Sequence, residues 1–213
     1  MCSTLLIFGG QSTAIEIFEV IKRYFRNDYD KVYHVIANTE EKLNPSYLYD
    51  SEVSDIANKN TKFIISFANH KLRLKIEELM NSLGAEPTNV IHPKAEISPS
   101  ATIGKGNYIA ANAVISSNVN VGDNNVFNYN LVVGHDTTIE NHNIINPGVS
   151  IGGNCHIASR TLIGANSFIL QGKRIGNDCI VDALTYIDRD IDAGFIGTNR
   201  DYDNLRVLRR IKF

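Results

Sequence analysis

The residues in this chain best suited to chemistry are an adjacent histidine and aspartate, His135 and Asp136. An imidazole titrates near neutral pH, and a neighbouring carboxylate can orient it and favour its protonated form. In a polar strand such a pair is more often a surface hydrogen bond, so by itself it leaves both roles open. A second candidate is Gly9-Gly10-Gln11-Ser12-Thr13, a glycine turn after the apolar run Leu5 to Phe8. If that turn opens a helix, its free N–H groups and the helix dipole favour a phosphate. It is not a full G-x-G-x-x-G, and an ordinary turn with Ser12 or Thr13 as N-cap fits equally. Asn38, Asn69 and Lys71 follow two further apolar runs and either line the same crevice or sit in surface turns.

These residues lie in two differently built parts. From Ile91 to Ile187, every sixth residue is apolar, seventeen positions without a slip. A helix cannot produce a strict period of six, whereas a parallel β-helix with one inward anchor per short strand can. Three hexads per triangular coil stack residues eighteen apart, with coils about 4.8 Å from one another. Small side chains such as Ala113, Thr137, Cys155, Thr161 and Cys179 stand four residues after an anchor, as a narrow interior requires. A charge there is costly, so Lys173 at such a position marks an open or distorted corner. Cys155 and Cys179 are not eighteen apart and belong to this interior set, which argues against a disulfide and against a thiol nucleophile.

Residues 1–88 instead alternate strands and helices. Leu5 to Phe8, Val32 to Ala37 and Phe63 to Ala68 read as buried strands. Ala14, Phe18, Ile21 and Phe25 form one helical face, and Leu72, Ile76, Leu79 and Leu83 another, ended by Gly84. The expected organisation is a small Rossmann-like parallel α/β domain over 1–88, a β-helix over 89–192 and a C-terminal tail over 193–213. Such open sheets bind ligands at the carboxyl ends of their strands. A net charge of −2 gives no footprint for a nucleic-acid backbone. The basic run Arg206, Arg209, Arg210 and Lys212 reads as a solvated tail. No apolar stretch is long enough to span a bilayer, and Met1-Cys2-Ser3-Thr4 lacks the basic start of a signal peptide. A cytoplasmic chain without nucleic-acid or membrane partners is expected.

The first glycine turn, the strand Phe63-Ile64-Ile65 leading to Asn69 and Arg73, the connection Val90-Ile91-His92-Pro93 and the run Val133-Gly134-His135-Asp136 occur together here. In this combination the chain resembles the bacterial nucleotide-sugar acyltransferases, which include sialic acid O-acetyltransferases and amino-sugar N-acetyltransferases. The resemblance covers nearly the whole chain. It implies a left-handed parallel β-helix of hexapeptide repeats that forms homotrimers, acetyl-CoA in the groove between two subunits, and the nucleotide of the sugar on the N-terminal domain. It implies His135 as the base that deprotonates an attacking amine, Asp136 as its orienting partner, and Gly153, eighteen residues on, as backbone donor to the oxyanion. Substrate contacts fall on Gly10, Gln11, Ser12, Thr13, Asn38, Ala68, Asn69 and Lys71, and coenzyme contacts on the backbones of Ala165 and Ala183.

The chain departs from the family at several points. The family commonly has Gly-His at Ser12-Thr13, an acidic pair at Ala37-Asn38, a histidine at Ile144, and Gly-Val-Pro-Ala-Lys at Gly194-Phe195-Ile196-Gly197-Thr198. The expected reaction is acetyl transfer from acetyl-CoA to the amine of a nucleotide-linked 4-amino-4,6-dideoxyhexose destined for a surface glycan (O-antigen), by direct attack and with no metal. Sugar O-acetylation is the alternative. Hexapeptide solenoids resembling the γ-class carbonic anhydrases hold zinc through three histidines, but His135, His142 and His156 are seven, fourteen and twenty-one residues apart and none stacks. His142 is expected at a solvent-facing corner. A non-catalytic scaffold is the remaining alternative.

Overall fold

A computed structural model describes residues 3–199 and the backbone of the strand Arg206–Arg210. The side chains of the basic run and Lys212, like Met1 and Cys2, lie outside the described residues. The chain divides into two units, Met1–Val90 and Ile91–Phe213.

The first unit runs β1 (Thr4–Phe8), α1 (Thr13–Tyr24), β2 (Lys31–Ile36), β3 (Tyr47–Tyr49), α2 (Val53–Ile56), β4 (Thr61–Ile65), α3 (His70–Ser82) and β5 (Glu86–Pro87). Its strands pair in parallel in the order β3-β2-β1-β4-β5. Strand order reverses beside β1, and open α/β sheets bind ligands at the carboxyl ends of the strands at such a point. The expected α/β sheet is present. Strands β3 and β5 escaped the pattern because three and two residues are too few to show a period.

Helix α3 corrects one expectation. Leu72 and Leu79, assigned to its packed stripe, are exposed, while His70, Arg73 and Met80 are buried. The cause is Arg73, whose guanidinium donates to the carbonyls of Ile65 at 3.0 Å and Phe67 at 2.8 Å, just where β4 ends. Buried carbonyls need donors, and a stripe that counts only apolar residues overlooks an arginine serving them. Burial pulls the Arg73 pKa down to about 10, against the opposing pull of Glu77, so it stays charged at neutral pH. In α1, likewise, the buried set is Ala14, Ile17, Val20 and Ile21. Gly84, at φ 76, follows α3 as the sequence predicts.

The second unit is a parallel β-helix. Two-residue strands recur every six residues up to Tyr186–Ile187, and each pairs with the strands eighteen residues away. Val133, for example, lies beside Ile115 and Ile151, and Ile139 beside Val121 and Ile157. The anchors Ile109, Phe127, Val133, Ile139, Ile145, Ile157, Ile163 and Ile169 are fully buried on the axis.

Two regularities lie beneath the hexad. From Gly106 to Leu184, the third residue after each anchor turns a corner in the left-handed region. Non-glycine residues there, from Asn112 to Leu184, have φ between 55 and 60, and Gly106, Gly148 and Gly172 occupy the same row. Asn, Asp and Gly tolerate that conformation best, which explains the run of Asn and Asp at this offset. One interior row is polar. Asn125 donates backbone N and Nδ2 to Asn107 Oδ1, Asn143 N donates to Asn125 Oδ1, and Thr161 N to Asn143 Oδ1. Amides fit the narrow axis because each side-chain oxygen accepts from a backbone N–H of the next coil.

His142 sits at a corner as expected but is buried, at 4% exposure; spacing predicts the corner, not the depth to which neighbours cover it. Lys173 is half-buried. In the stretch read as a tail, Phe195–Thr198 pairs with Ile180–Val181 and, antiparallel, with Arg206–Arg210.

Candidate active site

His135 stands where the chain leaves the strand Val132–Val133 and turns a corner. Asp136 takes the left-handed corner position, φ 55, and its Oδ2 lies 2.7 Å from His135 Nδ1. A carboxylate only accepts, so Nδ1 carries a proton, and in the neutral ring Nε2 is the nitrogen left with the lone pair. The Asp136 carboxyl is held below the usual range, first by the bond from His135 and then by Asn118 Nδ2 at 3.0 Å. It is therefore an anion throughout the neutral range.

The ring lies against Gly153 of the adjacent coil, as the eighteen-residue step predicts. A Cβ added to Gly153 would stand 2.7 Å from His135 Nε2 and 2.8 Å from Cε1, so glycine is what lets the ring lie there. The N–H of Gly153 donates to no acceptor among the described residues, while its carbonyl accepts from Gly172 N. Asn154 N donates to the His135 carbonyl, and Thr137 Oγ1 bridges Cys155 N and the Gly152 carbonyl, which pins the two coils together. A basic lone pair and an unused N–H thus lie side by side on a half-exposed corner. That pairing can take a proton from a nucleophile and meet the negative oxygen its attack creates.

The other candidates separate from this corner. His156 Nε2 binds Glu140 Oε1 at 2.8 Å, and Ser159 Oγ donates to Glu140 Oε2 at 2.8 Å. Burial raises the Glu140 carboxyl, but the bonds from His156 and Ser159 outweigh it and the net shift is downward. Cys155 and Cys179 are buried, with thiols against the carbonyls of Leu170 at 3.3 Å and Asp192 at 3.1 Å. Burial pushes both thiols up, so neither is a ready thiolate. Among the described residues no three His, Cys, Asp or Glu side chains converge as metal ligands, and no helix is long and apolar enough to cross a membrane. Ala165 and Ala183 stack eighteen apart on the corner before the strands Phe168–Ile169 and Tyr186–Ile187, with Leu184 N donating to the Ala165 carbonyl. His135 lies on the corner after that same sheet.

In the first unit the glycine turn follows β1 and opens α1. A Cβ on Gly9 would collide with Ser66 Oγ, and one on Gly10 would stand 2.5 Å from Ile36 Cγ2. The Gly9 carbonyl lies 3.2 Å from His34 Nδ1, and the Gly10 carbonyl accepts from Tyr47 Oη at 3.3 Å. Burial lowers the His34 pKa, against the bond to Gly9, and keeps the ring neutral. Gly10 and Gln11, with Ile36, Glu40 and Tyr47, line a cleft of about 230 Å³. Sequence reasoning missed His34, Glu40, Tyr47 and Ser66, which carry no motif and meet the turn only through strand pairing.

Ser12 occupies the N-cap position of α1, but its side chain makes no cap bond. Among the described residues no side chain caps the first turn. Its backbone, φ 47 and ψ −115, is that of a glycine in a type II′ turn. Ser12→Gly is accordingly expected to raise stability by about 1 kcal/mol through relief of strain; an unchanged or lower urea midpoint would contradict it. Asn38 accepts from Ser51 Oγ at 3.0 Å, and Asn69 caps α3 by accepting from Leu72 N at 3.1 Å. Ala68 and Lys71 are exposed after β4, on the other side of β1 from Asn38.

Residues 136–171 match the sequence model of the bacterial transferase hexapeptide, six repeats. No curated protein sequence matches the chain. Solved structures match it along nearly its whole length. The acetyltransferase domain of PglB from Neisseria gonorrhoeae FA1090 in complex with acetyl coenzyme A has a TM-score of 0.87 at 22% identity, over 98% of this chain and 100% of that one. PerB from Caulobacter crescentus in complex with CoA and GDP-perosamine has a TM-score of 0.85 at 22% identity, over 97% and 98%. WeeI from Acinetobacter baumannii AYE has a TM-score of 0.87 at 20% identity, over 97% and 100%. At these identities the likeness is one of fold.

Proposed function

We propose that this chain is an acetyltransferase that moves the acetyl group of acetyl-CoA to the amine of a nucleotide-linked 4-amino-4,6-dideoxy sugar. The observation that carries this reading is the His135–Asp136 pair seated on Gly153. The fold supports it, since it is shared with one structure holding acetyl coenzyme A and another holding CoA and GDP-perosamine. His135 Nε2 takes the proton that the amine sheds as its nitrogen bonds to the thioester carbonyl. The Gly153 N–H meets the resulting oxyanion. As the carbon–sulfur bond breaks, the imidazolium returns its proton to the departing thiolate, and Asp136 stabilises the charged ring in between. The burial of the Cys155 and Cys179 thiols supports direct attack.

Backbone groups at Ala165 and Ala183 hold the coenzyme in this reading. Within one chain they lie on the opposite edge of a sheet from His135. The outward positions Val114, Val132, Phe168 and Tyr186 of that sheet are each 37% to 47% exposed. An apolar face of this kind supports a homotrimer, in which a second copy covers it and brings the two edges together. Gly10, Gln11, Ser12 and Thr13 serve the diphosphate and nucleoside, with Asn38, Ala68, Asn69 and Lys71 around them. The enzyme works in the cytoplasm on precursors of a surface glycan (O-antigen).

Incubation with acetyl-CoA and a panel of nucleotide-linked 4-amino sugars is expected to release free thiol and add one acetyl group to one member. Silence across the panel, with acetylation of a sugar hydroxyl instead, would replace this reading by O-acetyl transfer. Gly153→Ala is expected to lose at least about tenfold in turnover, because the added methyl displaces the ring from the donor it works beside. Its melting midpoint should stay near the parent's, since the half-exposed ring can swing outward; undiminished turnover would contradict the arrangement.

A further inference from the structure

The eighteen-residue step that joins His135 to Gly153 also joins Asp136 to Asn118, and this second link carries chemistry. We infer that Asn118 is a positioning residue of the acyl-transfer site, holding the Asp136 carboxylate that fixes His135; the inference rests on the reading of His135 as base. Asn118 and Asp136 occupy the same corner row, at φ 56 and 55. Asn118 Nδ2 lies 3.0 Å from Asp136 Oδ1, while Asp136 Oδ2 receives His135 Nδ1 at 2.7 Å. Because a carboxylate only accepts, the amide must turn its NH₂ group toward it, so the orientation of the amide is set by its partner.

A carboxylate tied through both oxygens cannot rotate about its Cβ–Cγ bond. Released on one side, it turns, and the ring loses the acceptor that keeps the proton on Nδ1 and the lone pair on Nε2. Asn118 is itself anchored one coil further on. Its backbone N donates to Ser100 Oγ at 3.0 Å, and Ser100 Oγ lies 3.0 Å from Ser98 Oγ. The bonds thus run from Ser100 through Asn118 and Asp136 to the ring.

The same solenoid supplies a control. At another corner Asn112 Nδ2 donates to Asn130 Oδ1 at 3.2 Å. Asn130 is an amide, so that ladder bond orients no ionised side chain.

Glycine accepts the left-handed backbone, so Asn118→Gly removes the amide without straining the corner. Turnover of Asn118→Gly is expected to fall about tenfold, the loss of one hydrogen bond to a charged group. KM for both substrates and the melting midpoint should stay at the parent's values. Asn118→Asp, which sets a second carboxylate against Asp136, should fall further, and Asn112→Gly should keep full turnover. Equal turnover in Asn118→Gly and Asn112→Gly would overturn the inference. The NMR signals of the His135 ring supply a readout that does not depend on activity. They should move in Asn118→Gly and stay in place in Asn112→Gly, and unmoved signals in Asn118→Gly would overturn the inference too. A parent protein that acetylates no acceptor removes the proposed reaction, and the ring signals still decide the role of Asn118.

Discussion

Replacing His135 with alanine is expected to lower turnover by about 10²- to 10⁴-fold, the range ascribed to a positioned acid–base group, and to leave the fold intact. The second half of that expectation follows from the structure. The His135 side chain is 51% exposed, makes one side-chain bond, to Asp136, and fills no space on the solenoid axis. Removing it opens no cavity, so its stability effect falls in the small range of surface substitutions. Steady-state rates with acetyl-CoA and the acceptor, measured beside a thermal melt, test both halves. Near-parental turnover in a folded protein would take His135 out of the mechanism. A loss of turnover matched by a loss of folding would make it a structural residue. Asp136→Asn is a milder companion, since asparagine keeps the left-handed corner but no longer offers a negative charge to the imidazolium.

Ile151→Asp is expected to prevent the β-helix from folding. Ile151 is 2% exposed, and its strand is paired on one side with that of Val133 and on the other with that of Ile169. The substitution removes a buried branched side chain, worth roughly 2 to 3 kcal/mol. It also leaves an unpaired carboxylate on the dry axis, which adds several kcal/mol. Together these approach the whole stability of an ordinary domain, about 5 to 15 kcal/mol. Each coil leans only on its neighbours, so a break at this middle coil separates the stack into two short pieces. Loss of soluble protein or of its β-sheet circular dichroism is the expected result. A folded variant with the parent's midpoint would mean that the register is wrong.

The repeat made most of the second unit legible, because a strict period of six has one physical reading and converts distance along the chain into distance in space. That conversion links His135 to Gly153 from spacing alone. The same step links Asp136 to Asn118, and the Asn and Asp recurring three residues after the anchors mark the corners. Both signals were present, and both needed the idea of a left-handed corner to be read. In the first unit the long strands were legible, whereas Tyr47–Tyr49 and Glu86–Pro87 were too short to show alternation.

By itself the sequence determined the parallel sheet of the first unit, the coil register of the second, and hence which residues share a corner, since all of these follow from periodicity. Only the tertiary structure decided depth, direction and proton placement. It put Arg73 inward on the carbonyls of Ile65 and Phe67, covered His142, and tied His156 to Glu140. It laid the proton of His135 on Nδ1 against Asp136, with Gly153 under the ring. Those outcomes depend on which polar group each side chain meets from another strand or coil, and no period encodes that meeting.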